Sequence, residues 1–129
     1  MDQERILEIT AIERQTRELE ENMQIVESQI IELENFKRGL EEIKSSKEKE
    51  ILSSIGGRVY IKSEIVDIEK IYVEVGAGVI VKKSPNATLE IVNSQILRLK
   101  EVRSQIASYL DAHQRRLEEF LIDMREKEI

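Results

Sequence analysis

Residues 9–44 read ITAIERQTRELEENMQIVESQIIELENFKRGLEEIK, and this stretch decides the fold. Steps of three and four residues through it land mostly on apolar side chains, which is the 3.5-residue period of a coiled-coil seam. Residues 89–124 repeat the same spacing over the same length. Because the chain supplies its own partner, we expect two long helices packed antiparallel. The expected seam positions are Ile9, Ile12, Thr16, Leu19, Met23, Val26, Ile30, Leu33, Lys37, Leu40 and Lys44, then Leu89, Val92, Ile96, Leu99, Arg103, Ile106, Leu110, His113, Leu117, Phe120 and Met124.

The segment between the two stretches is rich in β-branched residues that alternate with other side chains. Such a period of two predicts strands, and the glycine-containing runs between them predict tight turns. We therefore expect four short strands in two β-hairpins, at residues 51–66 and 71–82.

The helix limits follow from local signals. The first helix is expected from about Asp2 to about Lys49, and Ser84 followed by Pro85 is a start signal for the second. The fold class is therefore α+β, with an antiparallel coiled coil and two central hairpins. We expect a single domain over 1–129, made of a helix in 1–50, the hairpins in 51–82 and a helix in 84–129.

Two short hairpins are marginal by themselves in water, and their edges invite pairing with another chain. Nothing else in the chain is of the right size to cover their apolar faces. The sequence therefore predicts an oligomer in which hairpins of several subunits form a barrel or stacked sheets. The apolar residues expected at this assembly surface are Val59, Ile61, Ile65, Ile71, Val73, Val75, Val79 and Val81.

Composition limits the function classes. Charged residues make up 36% and aromatic residues 4% of the 129, which favours a coiled coil over a globular core. The 20 basic residues are interleaved with 26 acidic ones, so we expect no nucleic acid partner. Cysteine is absent, and the amino-terminal residues contain no apolar run typical of a signal peptide or membrane span. A soluble cytoplasmic protein without a membrane partner is the expectation.

No residue set carries chemistry. His113 is the only histidine and falls on the seam, where a polar residue helps to fix register. Without a second histidine or any cysteine, a metal site is not expected. The run Gly76-Ala77-Gly78 is a turn, because no lysine-serine or lysine-threonine pair follows it as in a phosphate loop. We expect no catalytic residues, no cofactor and no enzymatic activity.

The distal helix ends carry apolar residues beyond the seam. Phe120-Leu121-Ile122 is an apolar triplet, so at least one of its members must face water. Frayed ends with incidental apolar residues are one interpretation, and a binding surface is the other. The surplus residues are Ile6, Leu7, Leu121, Ile122 and Ile129.

Two sequence motifs carry a family resemblance. The run Val73-Glu74-Val75-Gly76-Ala77-Gly78-Val79-Ile80-Val81-Lys82-Lys83 and the earlier Gly57-Arg58-Val59-Tyr60-Ile61-Lys62 match the two hairpins of the prefoldin family. With equal helical arms on either side, the whole chain resembles the larger, alpha class of subunit, since the smaller class has one hairpin. One departure is Ser53-Ser54-Ile55-Gly56, where the family often has Val-Pro before the first glycine turn.

The resemblance implies a heterohexamer of two alpha and four beta subunits, with a double β-barrel platform and six projecting coiled coils. It implies an ATP-independent chaperone, a holdase, whose tips bind unfolded polypeptides and deliver them to a group II chaperonin. A structural tether that binds one defined partner is the alternative, whereas mixed charge near the tip disfavours membrane association. The tip residues expected to bind clients are Ile6, Leu7, Ile9, Phe120, Leu121, Ile122 and Met124.

Overall fold

A computed structural model describes residues 3–128. The predicted α+β class, with two long helices and two β-hairpins, is confirmed. Ile129 and Asp2 lie outside the described residues. In chain order the elements are α1 (Gln3–Ser45), β1 (Glu50–Gly56), β2 (Val59–Glu64), β3 (Ile71–Gly76), β4 (Val79–Lys83) and α2 (Pro85–Glu128).

The described chain packs as two compact units, and the first contains residues 3–32 and 96–128. In it the two helices run antiparallel, as the cross-helix ion pair between Glu8 and Arg116 requires. Every predicted seam position of this unit is buried or half-buried, because a 3.5-residue repeat keeps one stripe toward the partner helix. The core cluster consists of Val26, Ile30 and Ile106, with Leu19, Met23, Leu99 and Leu110 packed against it.

The second unit contains residues 33–95, which include the ends of both helices and the two hairpins. Leu40 and Val92 are its buried seam residues, and Lys44 on α1 donates a hydrogen bond to the Asn86 side chain on α2. Lys44 is the one predicted seam position that is exposed. Its long side chain ends in a charge, which favours water over the seam.

Each hairpin is a separate two-stranded antiparallel sheet, β1 with β2 and β3 with β4. Both close in the same way, with two residues of positive φ in the turn, Gly57-Arg58 in one and Ala77-Gly78 in the other. A glycine directly before each turn also has positive φ and coincides with a register shift, as at Gly76 with φ of 130°. Such turns match the right-handed twist of the strands, which explains the glycine spacing in the sequence.

The end of α1 differs from the prediction, because the helix stops at Ser45 rather than near Lys49. The Ser46 hydroxyl accepts a hydrogen bond from the backbone N–H of Glu48, which offers the backbone an alternative to the helix. No apolar side chain in this charged run favours continued packing. The start of α2 is as predicted, since the Ser84 hydroxyl accepts from the backbone N–H of Ala87 at 3.1 Å.

Candidate binding surfaces

The helix ends of the first unit, residues 3–12 and 113–128, are called the tip here. Four large aliphatic side chains of the tip are exposed, and Leu7 reaches 70%. They occur as two consecutive pairs, one on each helix, and are called the tip patch. The tip patch consists of Ile6, Leu7, Leu121 and Ile122.

The other three predicted tip residues lie in the seam. Phe120 is only 6% exposed, and Ile9 and Met124 are half-buried. The apolar triplet Phe120-Leu121-Ile122 is therefore split, with its first member inside and the next two outside. Of the seven residues predicted to bind, four are accessible in this conformation.

Two members of the tip patch, Ile6 and Leu121, lie on the same side of the helix pair, whereas Leu7 and Ile122 occupy the outermost position of each helix and point away from the partner helix. Leu121 directly follows the seam residue Phe120, and Ile6 directly follows half-buried Arg5, which lies one four-residue step before Ile9. Glu8 and Arg116 each directly precede a seam residue. In an antiparallel pair, equivalent seam-flanking positions lie on the same side, as the contact between Glu8 and Arg116 illustrates. The side with Glu8 and Arg116 is called the charged side, and Ile6 and Leu121 lie on the opposite side.

The charged side is organised around Arg116. Its Nη2 donates to Glu8 Oε1 across the helix pair at 2.9 Å, and its Nη1 donates to Glu119 Oε2 at 3.1 Å. The guanidinium carbon lies 4.6 Å from the ring centroid of Phe120, within the range of a cation–π contact. The hydrogen bond to Glu8, followed by that to Glu119, raises the pKa of Arg116. Sequence reasoning missed this cluster, although the positions of Glu8 and Arg116 next to the seam were a usable signal.

The hairpins expose apolar side chains on both faces. Of the eight residues predicted for assembly, five are exposed, while Ile65, Ile71 and Val73 are half-buried. Sequence reasoning missed the opposite faces, because alternation suggested that only one face of each hairpin is apolar. The missed exposed residues are Leu52, Tyr60, Tyr72 and Ile80.

A groove of about 670 Å³ adjoins these faces within the second unit. Ile43, Ile51, Ile65 and Ile71 contribute to its apolar lining. Val66, in the connection between the hairpins, also borders it and is 94% exposed. Apolar surface of this extent is typical of a surface that another chain covers.

Among residues 3–128, no group of three or more metal-ligating side chains converges on one point. His113 is half-buried in the seam, and its Nδ1 has no hydrogen-bond partner within the described part of the chain. Thr16, another polar seam residue, is satisfied because its hydroxyl donates to the Ile12 carbonyl at 2.8 Å. No helix in the described range is long and apolar enough to cross a membrane.

The sequence profile of the family described as prefoldin subunit matches residues 12–129. The chain belongs to the prefoldin family. Family membership supports a chaperone-type subunit. The predicted resemblance is confirmed.

Two relatives carry the name prefoldin subunit alpha. The one from Methanopyrus kandleri is 28% identical over 82 residues, which cover 63% of this chain and 52% of the relative. The matched region thus spans about half the length of that prefoldin. The one from Thermofilum pendens is 29% identical over 100 residues, covering 77% of this chain and 74% of the relative.

The fold also matches a solved prefoldin. A cryo-EM structure of filamentous PFD from Methanocaldococcus jannaschii superimposes with a TM-score of 0.75, covering 89% of this chain and 96% of that one. At 17% identity, this match supports the fold alone.

Proposed function

We propose that this chain is the alpha-class subunit of an ATP-independent holdase that binds unfolded polypeptides through the tip patch. The single observation that carries the proposal is the exposure of four large aliphatic side chains at the tip. Unfolded chains expose apolar segments, and contact with such a surface removes apolar area from water on both partners. No ATP site is needed, because binding and release are both set by this weak contact.

Assembly is the second part of the proposal. The two-faced apolar hairpins favour a platform built from several subunits, with two alpha and four beta chains joined in an intersubunit double β-barrel. Several tips would then surround one client, and each would add to the affinity through effective concentration. Delivery to a group II chaperonin completes the proposed cycle in the cytoplasm.

The test of client binding compares two sets of substitutions in the co-assembled complex. The tip variant changes all four tip-patch residues to Gln. The control variant changes Ile25, Ile31 and Leu97 to Gln, because these residues are also exposed but lie outside the tip. A denatured protein is diluted into each complex, and aggregation is followed by light scattering. We expect the tip variant to lose suppression and the control to retain it, with both assembling normally. Equal suppression by both variants would refute the tip assignment.

The test of assembly is native mass spectrometry of the chain with and without a small-class partner. The expected product with the partner contains two copies of this chain and four of the partner. Self-association of this chain into longer assemblies is the competing result, because the solved structural neighbour is filamentous. Transfer is measured separately, as movement of a labelled client from the complex to an archaeal chaperonin.

A tether remains the second candidate, and its binding behaviour distinguishes it. A tether would bind one folded protein saturably and would not suppress aggregation of unrelated clients. With a holdase, several unrelated unfolded chains would compete with one another for binding to the same tips.

A further inference from the structure

Phe120 is the largest apolar side chain of the tip, yet it is the least accessible. It is 6% exposed, while the next two residues of α2, Leu121 and Ile122, are among the exposed residues of the chain. The Arg116 guanidinium lies over its ring, and that guanidinium is held from α1 by Glu8. An aromatic ring is thus covered at the border of the tip patch by a charged side chain that both helices hold in place.

The contacts that hold Arg116 are open to solvent. Side-chain exposure is 50% for Arg116, 46% for Glu8 and 64% for Glu119. Ion pairs this exposed are weak, and salt screens them further. Another cross-helix pair of the tip, between Arg5 and Asp123, is longer at 4.0 Å and also exposed. Both of these cross-helix ion pairs are therefore weak.

We propose that Arg116 is a latch that keeps Phe120 in the seam, and that its release adds the Phe120 ring to the tip patch. The client part of this inference rests on the proposed holdase function, whereas the opening of the tip does not. Residues near helix ends open locally more easily than residues in the middle of a packed pair. A client that contacts Phe120 binds the open tip better than the closed tip and shifts the population toward it.

The latch acts through position, because Arg116 lies on the charged side, opposite Ile6 and Leu121. Arg116 is therefore a positioning residue that sets how often Phe120 is available. If the open fraction rises, the apparent dissociation constant of the client falls in proportion. Removing the latch should strengthen client binding, which is opposite in sign to removing a direct client contact.

The first experiment measures opening by hydrogen exchange on the assembled complex. Arg116→Gln removes the charge and the ring contact, and Arg115→Gln is the matched control. Arg115 is the neighbouring residue, and its ion pair at 3.0 Å joins Asp111 on its own helix. We expect amides of residues 116–124 to exchange about two- to fivefold faster in Arg116→Gln, as loss of weak exposed pairs implies. Exchange should be unchanged in Arg115→Gln, and equal exchange in all three proteins would overturn the latch.

Salt gives an independent readout of the same device. Raising sodium chloride from low to high concentration should accelerate tip exchange in the natural chain and in Arg115→Gln, because the ion pairs are screened. Arg116→Gln should show little further acceleration, since its latch is already absent. The same salt response in all three would show that the exposed pairs do not hold the tip.

The second experiment measures client binding with a fluorescent unfolded peptide. We expect Arg116→Gln to bind about two- to fivefold more tightly than the natural chain, in line with the increase in exchange. The gain should disappear when Phe120→Leu is added to both proteins, because the aromatic ring supplies it. If tip-patch substitutions abolish client binding while Arg116→Gln leaves client binding unchanged, the proposed function stands and the proposed effect of the latch on client binding is overturned. If no variant binds clients, the exchange result still decides whether the latch exists.

Discussion

Ile30 and Ile31 are adjacent, carry the same side chain and differ in burial. Ile30 is 3% exposed and belongs to the core cluster of the first unit, whereas Ile31 is 58% exposed. Replacing either by Ala makes the same change in the same helix. Effects on helix propensity and on the unfolded chain are therefore nearly equal, and the difference between the variants reports the burial alone.

The magnitude follows from what Ile30→Ala removes. Roughly three carbon groups leave the seam, at about 0.8 kcal/mol each, and a partly collapsed cavity adds to this. Core Ile→Ala changes cost about 2–5 kcal/mol, and a two-helix seam can relax toward water, which favours the lower end. The better helix propensity of Ala offsets about 0.4 kcal/mol of the lost unfolding free energy in Ile30→Ala, and it adds the same amount to the stability of Ile31→Ala. We expect Ile30→Ala to lower the free energy of unfolding by about 2 kcal/mol and Ile31→Ala to leave it unchanged or slightly higher.

The assay is thermal unfolding followed by helical circular dichroism, with the oligomeric state of each variant matched beforehand. For a chain of this size, a loss of about 2 kcal/mol lowers Tm by roughly 6–12 °C. Urea unfolding of the same samples gives the free-energy difference directly. If the two variants unfold within about 2 °C of each other, a range that corresponds to well under 1 kcal/mol, the burial contrast on α1 is wrong.

Four further predictions concern the hairpins and the second helix. Gly76→Ala should lower the urea midpoint of the assembled protein by an amount equivalent to about 1–3 kcal/mol, because φ is 130° there. Ala77→Gly should be nearly neutral, since relief of a positive φ of 51° offsets the added chain entropy. Ser84→Ala should cost about 0.5–2 kcal/mol in thermal unfolding through loss of the helix cap, whereas Ser94→Ala in the exposed helix interior should not destabilise. Val79→Lys should abolish assembly, measured by native mass spectrometry, because it places a charge on the proposed assembly surface. The helical circular dichroism should be retained, because Val79 is exposed in the single chain and does not contribute to its core.

The seam and the hairpins were predictable from sequence because each depends on local spacing. Apolar residues at a period of 3.5 can satisfy only one geometry, a stripe against another helix, and the structure buries that stripe as predicted. The hairpin turns were predictable because glycine tolerates positive φ. Arg58 and Ala77 adopt positive φ without being glycine, which the sequence alone did not indicate.

The tip was only partly predictable, because its exposed and buried residues are sorted by contacts between distant segments. Periodicity placed Phe120 on the seam, and its place in the apolar triplet at the tip accompanied its inclusion in the predicted binding set. The sequence did not reveal that a side chain four residues earlier covers the ring while bound to Glu8 at the other end of the chain. The early end of α1 was missed for a different, local reason, since a side-chain hydrogen bond between Ser46 and the backbone two residues later competes with a helix that charged residues would otherwise permit.

The small size of the tip patch and the two-faced hairpins fit the same proposed mechanism. Four partly exposed aliphatic side chains contribute roughly 1 kcal/mol each when a client covers them, and ordering the contacting side chains offsets much of that gain. One tip therefore holds a client no more tightly than about the millimolar range. Such weakness allows release without ATP, but it requires several tips at one client for useful affinity. In the proposed assembly the hairpin surfaces bring those tips together, so we expect loss of assembly to abolish the proposed holdase activity even in a chain whose tip is intact.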